Sequence, residues 1–272
     1  MRTLIAIPVY NEQKYVRRVL TAVRERADHV LIIDDGSTDA TPDIVAELQR
    51  PLDLHVIRHP DNAGYGRSLR EAFNHAQHHD YDWVITMDCD EQHEPQLIPE
   101  FIARAQDGDL DMVSGSRYLD AAPAKDLPPA DRRRINAIIT AEINERFGLH
   151  LTDAFCGFKA HRVEATRDLN LTENGYAFPM QLWVQSVAHQ HRIGEIPVDL
   201  IYNDLNRTFG HGLDQAEARL NHYRCVLYRE IRSWVDALPN GALLDLCAEC
   251  PEDAPPSKTP TESTTETPAD RS

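Results

Sequence analysis

Two aspartates in alternation, Asp88 and Asp90, close the apolar run Val84-Ile85-Thr86-Met87, and Gln92 follows in the same register. Alternate residues of an extended segment project to one side, so the three can converge on a point. Two close carboxylates repel, raising a pKa, unless a cation lies between them. Hard oxygen ligands suit Mg²⁺ or Mn²⁺, held by one or two carboxylates and completed by substrate phosphates. The structural alternative is a solvated loop, because Asp-x-Asp is common by chance. Repetition speaks against that alternative. Tyr10-Asn11-Glu12 and Asp34-Asp35 also follow apolar runs, and in open α/β sheets ligands bind at the carboxyl ends of strands. Asp35 suits a ribose or base contact, and Asp34 suits an inward orientation set by hydrogen bonds. Neither Gly-x-Gly-x-x-Gly after the first strand nor Gly-x-x-x-x-Gly-Lys-Ser/Thr occurs. A diphosphate would therefore lack a glycine-rich cradle and would need a metal.

The elements that must position these acids are legible as alternating strands and helices. Thr3–Val9 is a continuous apolar run, typical of a parallel strand covered on both faces, and Pro8 is expected to end it. Val16, Val19, Leu20 and Val23 then recur at helical spacing. Val30–Ile33 is a second strand, followed by the turn at Gly36 and a helix through Ile44, Val45 and Leu48. Leu54–Ile57 is a third, and its loop Asn62–Gly66 precedes a helix carrying Leu69, Ala72, Phe73 and Ala76. The acidic strand is the fourth, and Leu110–Gly115 the fifth. This alternation predicts an α/β fold with a mainly parallel sheet and right-handed crossovers.

Composition narrows the function. The net charge of −16 argues against nucleic-acid binding, whose footprint is basic. Five cysteines without a regular framework fit a reducing compartment, and Cys247-Ala248-Glu249-Cys250 lacks a second pair. Met1-Arg2 leads directly into an apolar strand, and no run reaches ~18 apolar residues. The expectation is a cytoplasmic protein without a signal peptide or transmembrane segment, at most peripheral at the membrane face.

Residues 3–118 resemble family 2 glycosyltransferases of the GT-A (Rossmann-like) fold. The matching pieces are Ile7-Pro8-Val9-Tyr10-Asn11-Glu12, Ile33-Asp34-Asp35-Gly36-Ser37-Thr38-Asp39, Asn62-Ala63-Gly64-Tyr65-Gly66, Met87-Asp88-Cys89-Asp90-Glu91-Gln92-His93-Glu94-Pro95 and Gly115-Ser116-Arg117-Tyr118. The chain is most similar to the dolichyl-phosphate mannose synthase and polyprenyl-phosphate glycosyltransferase branch. The resemblance implies that Asp88 and Asp90, with Gln92, bind Mg²⁺ or Mn²⁺. It implies that Pro8, Tyr10, Asn11, Glu12, Asp34, Asp35 and Gly64 face the nucleotide of a GDP- or UDP-linked sugar, and that Arg117 lies near its phosphates. It further implies inversion at the anomeric centre and a polyprenyl phosphate acceptor. The alternatives are a soluble hydroxyl acceptor, or a non-catalytic nucleotide-sugar-binding protein.

Beyond Tyr118 the sequence is less regular. Ala121–Pro129 reads as a mobile loop, and a helix follows from Asp131 to Phe147. Arg132-Arg133-Arg134 at its start is either a solvated basic turn or a phosphate contact. Asp153–Lys159 resembles the acceptor-side Asp-x-x-x-Gly-Phe-Arg/Lys segment of the branch. Asp153 is the candidate base if the acceptor is a hydroxyl; its structural alternative is a cap or turn residue. Asn203–Gly210 looks like the branch's arginine-bearing loop, which carries a phosphate contact to Arg207. The usual Ser-Lys continuation is replaced here by Gly210-His211-Gly212.

Leu220, Tyr223, Leu227, Ile231 and Trp234 share one helix face with arginines around it. That helix is either a packed terminal helix or a basic amphipathic surface for membrane. The expected organisation is a GT-A domain over 1–238 and a disordered tail over 249–272. Within the domain, 1–118 is the nucleotide-sugar half, 119–212 the acceptor half and 213–238 the C-terminal helix.

Overall fold

The computed structural model describes residues 1–119, 129–201 and 213–243. Arg207, the loop over 120–128, Cys247, Cys250 and the tail over 249–272 lie outside the described residues. Seven strands form one sheet: β1 (Thr3–Val9), β2 (Val30–Asp34), β3 (Leu54–Arg58), β4 (Trp83–Thr86), β5 (Met112–Ser116), β6 (Lys159–Arg162) and β7 (Ile193–Pro197). Their order is β3-β2-β1-β4-β6-β5-β7. Every pairing is parallel except those of β6, which runs antiparallel to both β4 and β5.

The apolar runs become strands because both faces of the sheet are covered. Leu4 and Ala6 point into one core layer with Leu31, Ile33 and Val84. Ile5, Ile7 and Val9 point into the other with Val30, Ile32 and Ile85. Helices α1 (Val16–Arg24), α2 (Thr41–Gln49) and α4 (Ile98–Gln106) supply apolar residues to the second layer. Helices α3 (Tyr65–His78), α5 (Ala130–Phe147), α7 (Phe178–Ala188) and α8 (Ala216–Ser233) supply the first, and the single turn α6 (Val163–Thr166) follows β6.

The structure bears on three local readings: one is corrected, one strand is new, and one pair of alternatives is decided. Pro8 does not end β1, which continues to Val9. Even-numbered positions of β1 face β4, as Met87 N–H donating to Ala6 O shows. The β4 ladder ends at Ala6–Thr86, so the missing N–H of Pro8 falls beyond the last pairing. The second is β6, an unforeseen strand whose sequence Lys-Ala-His-Arg carries no apolar signal. It is nevertheless internal, with Lys159 and His161 buried. Lys159 Nζ donates to Ser114 Oγ at 2.7 Å and Cys156 O at 2.5 Å and lies 4.9 Å from the Trp183 ring. The acceptor-side motif thus ends in a core lysine, not in a cation facing solvent.

The third concerns α8. Its apolar residues Leu220, Tyr223, Leu227 and Ile231 are buried in the first core layer. Arg219 pairs with Asp131, Arg224 with Glu142 and Arg229 with Glu173. Gln181 and Gln185 of α7 donate to the buried Glu230 carboxylate at 2.7 and 2.5 Å. The helix is a packed terminal helix, and its apolar stripe is spent on the protein.

Candidate active site

The carboxyl ends of β1, β2, β4 and β5 share one edge of the sheet, and the expected polar residues collect there. After β1, Tyr10 is exposed, whereas Asn11 ties two loops together from a left-handed backbone (φ 57°). Its Oδ1 accepts the Thr38 and Asp39 N–H groups at 2.8 and 3.3 Å, and its own N–H donates to Ser37 Oγ at 3.0 Å. Glu12 is buried, and its N–H donates to Thr41 Oγ1 at 2.8 Å. Loop one is therefore clamped onto loop two, which leaves Tyr10 as its outward side chain.

Asp34 is turned inward as expected, and Asp35, expected to face a ligand, is internal as well. Asp34 Oδ1 accepts the Ser37 N–H at 2.9 Å, and Arg58 Nε lies 3.3 Å from Oδ2. Asp35 Oδ1 accepts from Ala63 N–H at 2.8 Å and contacts His59 Nδ1 at 2.7 Å, while Oδ2 accepts from Gly64 N–H at 2.9 Å. A carboxylate has about four lone-pair sites, so Asp35 spends about half of them on the 62–64 loop and one more on His59. Gly64 is required there, with φ at +102° and a Cβ that would fall 2.3 Å from Asn174 O.

The acidic pair sits beyond β4. Asp88 is partly exposed and Asp90 buried. Tyr65, the first residue of α3, donates its hydroxyl to Asp88 Oδ1 at 3.0 Å. Burial beside Asp88 pushes the Tyr65 phenol well above its ordinary value, so it stays a donor. His93 Nδ1 accepts the Asp88 N–H at 2.9 Å, and Gln92 N–H donates to Asp90 Oδ1 at 3.1 Å. Among the described residues no group of three His, Cys, Asp or Glu side chains is arranged to hold an ion alone. The donor set is two hard carboxylates, which fits Mg²⁺ or Mn²⁺ completed by phosphate oxygens.

Arg117 follows β5 and meets Asp153 in a two-point ion pair, Nε to Oδ2 at 2.6 Å and Nη2 to Oδ1 at 3.0 Å. Asn136 Nδ2 adds a bond to Oδ1 at 2.7 Å. Burial alone would raise the Asp153 carboxyl, but Arg117 and then Asn136 hold it well below the usual carboxylate range. Asp153 thus orients Arg117, and its engaged, weakly basic carboxylate is unsuited to take a proton. Beside them the Arg133 Nε is buried without a hydrogen-bond partner among the described residues, and Arg134 pairs with Glu217.

Sequence reasoning missed four contributors, Tyr65 among them. Glu195 of β7 accepts the Thr152 and Asp153 N–H groups and so fixes the segment carrying Asp153. Asn136 steadies Asp153 from α5. Gly157 leaves room for Asp88, since a Cβ there would lie 2.8 and 3.1 Å from its carboxylate oxygens. Tyr65 and Gly157 lay inside motifs already singled out; Glu195 and Asn136 had no local signal.

An α/β sheet with paired acids after one strand and an acid-held arginine after another defines a GT-A glycosyltransferase. Residues 4–169 match the model of glycosyl transferase family 2, and the chain belongs to that family. It is 28% identical over 226 residues to polyprenol monophosphomannose synthase of Mycolicibacterium smegmatis, covering 80% of this chain and 84% of that protein. It is 29% identical over 228 residues to undecaprenyl-phosphate mannosyltransferase of Micrococcus luteus, covering 81% and 92%. The fold matches glucosyl-3-phosphoglycerate synthase of Mycobacterium tuberculosis in complex with UDP, with a TM-score of 0.65 at 17% identity, covering 84% of this chain and 79% of that one. The same enzyme with Mn²⁺, UDP and glucosyl-3-phosphoglycerate gives 0.63 at 16% identity, over 84% and 79%. Among the described residues no helix is long and apolar enough to cross a membrane.

Proposed function

We propose that this glycosyltransferase moves a hexose from a nucleoside-diphosphate sugar to a polyprenyl phosphate, with inversion, at the cytoplasmic face of a membrane. The observation that carries the reading is the convergence of Asp88, Asp90 and the Asp153-held Arg117 on one sheet edge. The likeness over four-fifths of the chain to two enzymes named for polyprenyl-phosphate mannose transfer supports the acceptor class and favours mannose.

Departure of the nucleoside diphosphate sets the barrier, so stabilising its charge is the main task. Asp88 and Asp90 would hold Mg²⁺ or Mn²⁺, which would supply Lewis-acid stabilisation of the diphosphate when bound. Crystals of the M. tuberculosis enzyme containing either ion with UDP support that choice. Arg117, aimed by Asp153, contributes a fixed positive charge; Arg133 and, outside the described residues, Arg207 are further candidates. Asp34, Asp35 and Gly64 hold the nucleotide-side loops, Pro8 stands beside Ile33 in the adjoining strand, and Tyr10 offers an exposed ring. Gln92 shapes the turn through Asp90. A lipid phosphate is already anionic, so the reaction needs no strong base, and this agrees with Asp153 being locked in an ion pair.

The test is transfer to a short, water-soluble polyprenyl phosphate against a panel of hydroxyl acceptors, using GDP- and UDP-linked hexoses. Product that depends on Mn²⁺ or Mg²⁺, stops with EDTA and disappears in Asp90→Asn is expected. Efficient transfer to a hydroxyl with none to the lipid phosphate would overturn the acceptor. Full activity of Asp90→Asn in EDTA would overturn the metal role.

A further inference from the structure

We infer that Tyr65 and Gly157 are positioning residues that pre-aim the Asp88 carboxylate, and that Tyr65 mechanically joins the nucleotide-side acid Asp35 to it. This rests on the reading of Asp88 as a ligand of the divalent ion.

Three constraints act on Asp88, each on a different part of the residue. Its backbone N–H is held by His93 Nδ1 at 2.9 Å. Its carboxylate lies against the Cα of Gly157, where a Cβ would approach the Tyr65 hydroxyl to 2.7 Å and the Asp88 oxygens to 2.8 and 3.1 Å. Gly157 itself is tied to β4, because Thr86 Oγ1 donates to Gly157 O at 2.8 Å. Oδ1 then takes the Tyr65 hydroxyl at 3.0 Å. An aspartate has two free torsions, and a wall plus one directed bond is enough to fix both. Oδ2 has the longer approach to His93 Nε2, 3.8 Å.

Tyr65 is in turn over-determined. The residue before it donates to Asp35 Oδ2 at 2.9 Å, and Ala63 donates to Oδ1 at 2.8 Å. On either side of it, Gly64 and Gly66 press against the Asn174 and Glu173 carbonyls, at 2.3 and 2.4 Å from where a Cβ would stand. Its ring stacks on Tyr176 with centroids 6.0 Å apart. The carboxylate at the end of β2 thus fixes the loop whose next residue fixes the carboxylate after β4. Hydrogen bonds of this kind to ligating carboxylates commonly govern metal affinity.

The experiment is a Mn²⁺ titration of the full chain, followed by electron paramagnetic resonance of free Mn²⁺, with UDP and separately with GDP. Wild type, Tyr65→Phe, Gly157→Ala and Asp88→Asn are compared. Tyr65→Phe keeps the ring and its stack, so its unfolding midpoint should stay close to wild type. Its Mn²⁺ affinity should fall by about tenfold or more. Gly157→Ala should lose a comparable factor, and Asp88→Asn should lose the nucleotide-dependent binding altogether. Wild-type affinity in Tyr65→Phe, with binding lost in Asp88→Asn, would strike out the positioning role and leave the metal reading standing. Wild-type affinity in Asp88→Asn would remove the metal reading and this inference with it. Should Gly157→Ala fail to fold, Tyr65→Phe still decides the matter.

Discussion

Replacing Asp153 by Asn keeps the shape of the side chain and removes its charge, so it isolates what the pair with Arg117 contributes. Five donors reach this carboxylate: Arg117 Nε, Nη2 and N, Asn136 Nδ2 and Phe155 N, at 2.6 to 3.3 Å. An amide oxygen in the Oδ1 position could still take three of them. The amide NH₂ would then face the Arg117 Nε–H, donor against donor. The two hydrogen bonds to Oδ2, from the Arg117 Nε–H and backbone N–H, are lost; the shorter is worth about 1.5–3 kcal/mol, and Arg117 keeps a charge with no counter-ion in place. Breaking a buried pair from one side costs about 3–5 kcal/mol. Arg117 is 20% exposed and Asp153 fully buried, so water relieves part of the cost and the lower end applies. At about 2–4 °C per kcal/mol for a domain of this size, the midpoint should drop by roughly 6–12 °C.

The pH dependence has a definite sign. Asp153 has a folded pKa depressed below its unfolded value of 3.8, so its stabilisation is fully present above that value. It fades as pH falls further towards the folded pKa, and the two proteins should converge in that range. Urea denaturation at pH 7 and across the acid range measures both effects. A loss under about 1 kcal/mol at pH 7, the size expected of an exposed pair, would refute the reasoning, and so would a gap that persists at low pH.

Asp35→Asn should loosen the 62–64 loop and weaken nucleoside-diphosphate binding by about 1.5–3 kcal/mol, measured by calorimetry; unchanged affinity would remove Asp35 from the site. His161 is buried and kept neutral, its pKa lowered to about 3 by burial and then by Lys159. A base whose folded pKa is lowered costs stability as pH falls below its unfolded value near 6.5, at up to about 1.4 kcal/mol per pH unit. His161→Phe should flatten that slope between pH 6 and 4 in urea titrations. Leu227→Ala on α8 should cost about 2–5 kcal/mol in thermal unfolding, as for a core leucine; a small loss accompanied by reduced vesicle binding would instead revive the membrane-surface role of that helix.

Strands β1, β2 and β4 were legible because each is a run of apolar residues covered on both faces, and the acids beyond them stand where such runs stop. The family motifs added Arg117 and Asp153 as positions. What local pattern did not encode was pairing across the chain. Asp153 reads as a candidate base or a cap residue until Arg117 and Asn136 close around it. Nothing near Lys159 in sequence shows that Ser114, the Cys156 carbonyl and Trp183 will surround it. The same holds for α8, whose arginines find partners on α5 and on the loop before α7. In each case a charged residue pairs with a group far away in sequence, and hydrophobic periodicity is blind to that.

The position of β6 bears on how the molecule is built during synthesis. Among the described residues β5 pairs with β6 and β7 alone, and both leave the ribosome after it. A nascent chain of 119 residues can close β3-β2-β1-β4, but β5 has no ladder to join and β4 has an open outer edge. Chains emerge at about 5–20 residues per second, so both edges wait for seconds, and unpaired edges invite wrong partners. One segment of four residues, Lys159–Arg162, then relieves both at once. The half expected to bind the donor is consequently not a module that can be cut out and grafted: among the described residues, a boundary at residue 118 separates β5 from both strands it pairs with, and a chimera should carry the chain through β7.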